Sequence, residues 1–512
     1  MKTAKTITTV EKVISVWSWL ILMIFVSTTA SVLAGQDEDD ANYGVRGNRI
    51  TSNCVVSGGF LVIPQVPPPP AVPSPDPCQG KVQDLASSPN ARWSLDINWF
   101  DPGTQKLYLA DRNNGGVDVI DTKSETVVGL ASGFVGTNCP LPSTANCLPA
   151  PPANSGGPNG VLTTTSPRQL WAGDGNGDIR VYSLDKNGLP TPDGHTPLKV
   201  ISHLDPAFVT LLGPLGAQRR ADELAYDPDD QLILMAWDDE LDLFIALISV
   251  SSNPNNIKVV KTISFKAPNC PAFGGCATAG IEQPVYDPKS NRFYLAVPAS
   301  TGHPNGEIVR INPKTLAVDG AFDTTGTAPA AGVPCFPHGL TLGPRQNLLL
   351  GCSGDGPTGT QMISIIMKAT TGEVLKTFNQ AGGSDEVYYN KGDNNYYLAM
   401  SSWTSSGKTG TGNPTSSLGI IDAGSKDSGP EGPQWIQNIL TTRSSHVVAA
   451  GYGFRCDWDD KGHSRCDRGD DRDGNNVVRK HAYVPLTTVP IPLSSTATIN
   501  EAGGIGIYGR LP

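Results

Sequence analysis

The stretch Ser94 to Asp111, SLDINWFDPGTQKLYLAD, decides how the rest of the chain is read. A polar residue opens a half-apolar strand, Asp101-Pro102-Gly103 makes a turn, and a more apolar strand follows over Lys106 to Ala110. The pattern returns as ADELAYDPDDQLILMAW from Ala221, IEQPVYDPKSNRFYLAV from Ile281 and PHGLTLGPRQNLLLGC from Pro337. It returns again as SDEVYYNKGDNNYYLAM from Ser384 and, more weakly, as SSHVVAAGYG from Ser444 and PNGVLTTTSPRQLWAGD from Pro158. Copies about 45 to 65 residues apart are the mark of four-stranded propeller blades. The sequence therefore predicts an all-β, single seven-bladed β-propeller, with blades starting near 94, 158, 221, 281, 337, 384 and 444.

The totals agree with that reading. A chain of 512 residues with 56 Gly and 43 Pro suits many short strands joined by turns, and closed all-β rings run long as single units. A net charge of -10 argues against nucleic acid, which needs a basic footprint.

At the N-terminus, Lys2, Lys5 and Lys12 precede an apolar run from Val13 to Val26, and Val32-Leu33-Ala34 offers small residues for cleavage. Residues 1–34 read as a signal peptide rather than a membrane anchor, because the run is shorter than the ~20 residues a spanning helix needs. The mature protein is then secreted or periplasmic, with no stable membrane insertion. Residues 35–80 read as a linker, acidic at first and then polyproline over Pro64 to Pro77, with a short strand candidate at Cys54 to Ile63. The propeller is assigned to 81–512. Ring closure calls for a strand from the far terminus to pair with the last blade, supplied by Lys81 to Ser94 or, as the alternative, by Cys54 to Ile63.

The ten cysteines fall into near neighbours: Cys54 with Cys78, Cys139 with Cys147, Cys270 with Cys276, Cys335 with Cys352, and Cys456 with Cys466. An even count in an exported chain reads as a disulfide framework, and no zinc-type spacing competes with it.

The segments LYLADRNNGGVDVID (Leu107 to Asp121) and SDEVYYNKGDNNYYLAM followed by LGIID (Leu418 to Asp422) resemble the YVTN-repeat, YncE-like bacterial propellers. That resemblance implies an exported propeller and names no chemistry. The scaffold is also similar to the gluconolactonase-like lactonases and to NHL-repeat binding domains, and fold does not transmit function between such groups.

Aligning the repeats on their turn places Asp96, Asn159, Asp222, Glu282, His338, Asp385 and His446 five residues upstream, all polar. The next position holds Ile97, Gly160, Glu223, Gln283, Gly339, Glu386 and Val447, so the regularity belongs to one register. First strands line a propeller's channel, which makes these seven side chains a candidate metal or channel ring. Crowded carboxylates there require a cation or bound protons, unless they simply face channel water. Ca, Mg, Mn and Zn are all compatible cations, and no nucleotide cofactor is indicated, because no glycine-rich stretch carries the Lys-Ser/Thr of a phosphate loop. If the chain is catalytic, Glu282, His338 and His446 are the candidates, with His as ligand or general base in a lactonase-like, metal-dependent hydrolase or lyase. The gluconolactonase-like pattern of Glu, Asn and Asp ligands is not matched, because two His and more acids are present here. The leading expectation is a binding or interaction module that holds a protein, glycan or small-molecule ligand at its rim or channel.

Overall fold

The computed structural model describes residues 56–62, most of 95–136, 156–325, 333–424 and 432–451, and the strands Arg455–Trp458, Ser464–Asp467, His481–Pro490 and Glu501–Gly509. The expected signal peptide and the polyproline run lie outside the described residues.

Six antiparallel sheets follow one another along the chain as propeller blades. Blade one is Leu95–Asp101, Lys106–Asp111, Gly116–Asp121 and Thr126–Ser132. Blades two to six begin with the strands Val161–Thr165, Ala221–Asp227, Pro284–Asp287, Pro337–Leu342 and Val387–Asn390. A further four-stranded sheet has the order Val56–Val62, Glu501–Gly509, His481–Pro490, Ala449–Gly451. The N-terminal strand that pairs there is thus Val56–Val62, with Phe60 opposite Gly506 and Val62 opposite Gly504. The preferred closing segment, Lys81 to Ser94, falls outside the described residues.

The repeat is a turn device as much as a hydrophobic pattern. Asp101 accepts hydrogen bonds from Gly103 N and Thr104 Oγ1, and Asp227 accepts from Asp229 N and Asp230 N. Asp287 does the same with Lys289 N and Ser290 N, and Asn390 with Gly392 N. Each turn then ends on a left-handed residue, Gln105, Gln231, Asn291 or Asn394. A short acceptor side chain that mimics a backbone carbonyl is what Asp and Asn supply at such corners.

Between blades, large side chains interdigitate. Trp171 of blade two and Trp237 and Phe244 of blade three are all fully buried, and Trp237 stacks on Phe244 at 4.4 Å. Phe208 reaches the same cluster from the short helix Pro206–Leu212, which is started by Asp205 and Pro206. Around the ring, first strands neighbour one another in chain order, and Ala449–Gly451 lies against Leu95–Asp101. That last junction is packed by Phe100, stacked on Tyr483 at 6.2 Å, and tied by Asn98 Nδ2 donating to Tyr483 O at 3.0 Å. Gly451 is required there, because a Cβ would stand 2.5 Å from the Phe100 ring.

Among the described residues, two of the expected disulfides are formed, Cys270–Cys276 and Cys335–Cys352. Cys456 and Cys466 are Cα partners across a two-stranded hairpin. The other two expected pairs, Cys54 with Cys78 and Cys139 with Cys147, differ from these in that all four residues lie outside the described residues. The disulfides are therefore formed in the connection between blades three and four and in blade five, and the pairings Cys54–Cys78, Cys139–Cys147 and Cys456–Cys466 stay expectations of spacing. No helix among the described residues is long and apolar enough to cross a membrane.

Because Phe100 is 2% exposed and joins blade one to the terminal sheet, Phe100→Ala should lower the unfolding free energy by about 3 to 5 kcal/mol. Denaturant unfolding checks this, and a loss below about 1 kcal/mol would mean that the junction contributes little.

Candidate functional site in the central channel

Three of the first strands start irregularly. Register shifts fall between Leu95 and Asn98, between Ala221 and Leu224, and between Pro337 and Gly339. A bulge breaks strict alternation, so two successive side chains can turn towards one side of the sheet. Asp96 with Ile97, Asp222 with Glu223, Asp385 with Glu386, and His446 with Val447 all line one cavity of about 50 Å³, together with Arg220 and Glu282. Contributions from five sheets place this cavity at the ring's axis, and it is large enough for an ion or a few waters.

The seven residues expected as a ring separate into groups rather than forming one cage. Asp96 is buried and paired with the Arg112 guanidinium, and His446 Nε2 lies 3.0 Å from its other oxygen. The same guanidinium donates to Asn159 Oδ1 at 2.9 and 2.6 Å. Asp222 is bound to Arg220 at 2.7 Å, and Arg220 also bonds Asp238 at 2.9 Å. On the remaining arc, His338 Nδ1 lies 3.3 Å from Glu282 Oε1 and 3.4 Å from Asp385 Oδ1. One ligand atom from each of these three residues falls within 4.8 Å of the others, an arrangement able to hold a metal ion. Gly280, at φ +53°, leaves the space: a Cβ there would stand 2.7 Å from Glu282 Oε1 and 2.9 Å from Asp238 Oδ1.

Beside this ring Glu223 and Glu386, both buried, share a carboxyl–carboxyl hydrogen bond. Gln283 fixes the adjoining first strands: its Oε1 accepts from Leu340 N at 2.6 Å and Val387 N at 3.3 Å, and its Nε2 donates to Val387 O at 3.2 Å.

The electrostatics follow from one imbalance. Asp96, Asp222, Glu223, Asp238, Glu282, Asp385 and Glu386 face two permanent cations, Arg112 and Arg220. Burial alone raises every carboxyl; where a cation is close enough the sign reverses. Asp96 is pushed up by burial but held far below the usual range by Arg112 and His446. Asp385, whose side chain is 42% exposed to the channel, is raised by desolvation but lowered overall by His338, with His446 and Arg220 adding to it. Asp222 is pushed up to about 7 by burial, with Asp96 and Asp238 adding to it against Arg220. Glu282 is raised by burial and by Asp238 against the pull of His338. Glu223 is raised by burial and by Glu386, and Glu386 by burial and by the charges of Asp385 and Asp222. The site keeps protons near neutrality unless a cation replaces them.

Arg112, Arg220, Asp238 and the Glu223–Glu386 pair were outside the sequence-based ring. The arginines flank strands, one just after Lys106–Asp111 and one just before Ala221–Asp227, so no alignment on the turn collects them. The two Glu stood one residue downstream, in the position that the repeats fill unevenly. The five-residue turn Asp174 to Asp178, which resembles the start of a calcium loop, is a hairpin corner: Asp174 accepts from Val135 N and Gly175 N, and Asp178 holds His203.

A carboxyl whose folded pKa is raised stabilises the fold at low pH and loses that contribution as pH climbs through the folded value. In chelator, the unfolding temperature should therefore fall between about pH 4 and 7, the interval set by Asp222. Asp96 and Asp385 have the opposite sign, and their stabilisation is lost only on acidification below that interval. Glu386→Gln, which keeps a hydrogen bond to Glu223 without a shared proton, should flatten the fall; calorimetry showing stability rising through the interval would contradict the assignment.

No protein-family model matches the chain, and no curated protein matches it. Among solved structures, similarity is found to a chain of a mitotic checkpoint complex at 12% identity, covering 70% of this chain and 80% of that one with a TM-score of 0.43. Hydrazine synthase of Kuenenia stuttgartiensis matches at 10% identity over 76% and 92% of the two chains, with a TM-score of 0.45. U3-55K matches at 8% identity over 81% and 95%, with a TM-score of 0.44. Similarity at this level carries no argument about what this chain binds or does.

Proposed function

We propose that the chain is an exported, seven-bladed β-propeller that acts as a binding module, with a divalent cation held in its channel by Glu282, His338 and Asp385. The carrying observation is the convergence of those three ligand atoms within 4.8 Å on the arc whose acids are not taken up by an arginine hydrogen bond. Two carboxylates and an imidazole suit a first-row divalent cation such as Zn²⁺ or Mn²⁺ better than Ca²⁺, which takes six to eight oxygens. The ion would take up the charge that Glu282 otherwise relieves with a proton, and its binding would be linked to proton release. Pairing of Val56–Val62 with Glu501–Gly509 supports a terminal sheet that serves as the seventh blade and leaves no raw edge. The resemblance to YVTN-repeat propellers, the leader and the two disulfides support export.

Metal analysis of the purified mature protein tests the reading. One equivalent of metal is expected, with His338→Ala and Asp385→Asn each lowering affinity at least about tenfold. His446→Ala should leave metal content unchanged, because its imidazole serves Asp96. Protein free of metal under all loading conditions, or equal losses in His446→Ala, would overturn it. Chelator-sensitive turnover of a lactone or ester by the same preparation would move the assignment to a metal-dependent hydrolase.

A further inference from the structure

Blade four departs from the other blades at two positions on its outer half. The third-strand residue paired with Tyr294 is Arg310, and the equivalent residues are Val119, Tyr182, Leu247, Ile366 and Ile420. All five are buried. The second position is the extra residue of the bulge on the fourth strand, between Val318 and Gly320. It is Asp319 in blade four and Val128, Val260, Leu375 and Ile436 in blades one, three, five and six. Charged residues standing where a repeat is otherwise apolar break a local rule, and such breaks concentrate at functional sites.

The two exceptions meet, and they bring a third charge. Asp319 Oδ1 accepts from Arg310 Nε at 2.6 Å, and Asp319 Oδ2 accepts from Arg292 Nε at 2.7 Å. One carboxylate therefore holds two guanidiniums side by side, in a protein of net charge -10, while the neighbouring Asp287 carboxylate is occupied by Lys289 N, Ser290 Oγ and Gln346 Nε2. Arg310 is fixed further by donating to Asp319 O at 3.1 Å and by lying 5.6 Å from the centre of the Phe322 ring. Gly320 permits this pose, because its Cβ would come 3.2 Å from Arg310 Nη2. Among the described residues, Arg310 Nη1 and Arg292 Nη2 donate to no protein acceptor. A cavity of about 150 Å³ adjoins them, lined by Ser290, Arg292, Tyr294, Arg310 and Thr370, the last from blade five. A lone structural ion pair would need neither the second arginine nor this space.

We infer that this cavity is an oxyanion site that takes a tetrahedral phosphate or sulfate group of a ligand. Two guanidiniums and the hydroxyls of Tyr294 and Thr370 offer donors from several directions, which matches a tetrahedral group better than a planar carboxylate; the Ser290 hydroxyl lines the cavity but donates to Asp287 Oδ2 at 2.6 Å. The site belongs to the turn end of blade four, beside Asp287 and Ser290, whereas Glu282 lies five residues upstream at the channel end. It is independent of the channel cation.

Titration calorimetry of the full mature protein with inorganic phosphate, inorganic sulfate, acetate, and a phosphorylated and a sulfated monosaccharide, at matched ionic strength, tests the assignment. Saturable binding of phosphate or sulfate is expected, with acetate at least about tenfold weaker. Tighter binding of either sugar ester than of its inorganic ion identifies an esterified ligand, whereas equal or weaker binding identifies the free ion, and both support the site. The double variant Arg310→Leu with Asp319→Val, which carries the residues of blade three at these positions, should fold and bind at least about tenfold more weakly. Arg292→Gln, which keeps the Arg310–Asp319 pair, provides a second variant with the same expected loss. Absence of saturable binding to the native protein, acetate binding as tightly as phosphate, or unchanged affinity in both variants would overturn the proposal.

Discussion

Seven carboxyl groups drawn to one axis cannot all be ionised in a space the size of a few waters. Coulomb repulsion between like charges a few ångströms apart, strengthened by burial, exceeds what solvent can screen there. The channel of this propeller is arranged around that constraint. Arg112 and Arg220 answer it for Asp96, Asp222 and Asp238, a shared proton answers it for Glu223 and Glu386, and Glu282, His338 and Asp385 are left as the arc where a proton or a metal ion can serve.

The blades make such crowding tolerable. Each junction is a dry, interdigitated layer, such as Trp171 with Trp237 and Phe244, that fixes the first strands against the repulsion at their inner ends. The Gln283 side-chain amide ties the start of blade four to the first strands of blades five and six by hydrogen bonds to their backbones, so the Glu282–His338–Asp385 arc is also the arc with an explicit clamp beneath it. A site stabilised in this way is pre-organised, which favours recognition of an ion over passive solvation.

Much of this was legible in the residues. The Asp-Pro-x-x turn is a local device, since Asp101, Asp227 and Asp287 each close their own corner, and local chemistry is what a single sequence exposes most directly. The polar position five residues upstream was visible for the same reason. What stayed hidden arises from departures from the repeat. Bulges at Asp96–Ile97 and Asp222–Glu223 turn a second residue towards the axis, which strict alternation assigns to the other face. Arg112 and Arg220 come from strand ends whose place in the ring depends on three-dimensional closure. The strand Val56–Val62 falls within the alternative closing candidate, Cys54 to Ile63, which the proline-rich run separates from the repeats by sequence.

Channel polarity and fold together support a binding role, and the chemistry rests on whether a cation replaces protons at Glu282, His338 and Asp385. The most direct measurement is a calorimetric titration of metal-free protein with Zn²⁺ or Mn²⁺ near neutral pH, in buffers that differ in ionisation enthalpy. The account predicts one site per chain and an apparent enthalpy that varies with the buffer in the sense of proton release. Binding with no dependence on buffer, or no binding of either ion, would contradict it.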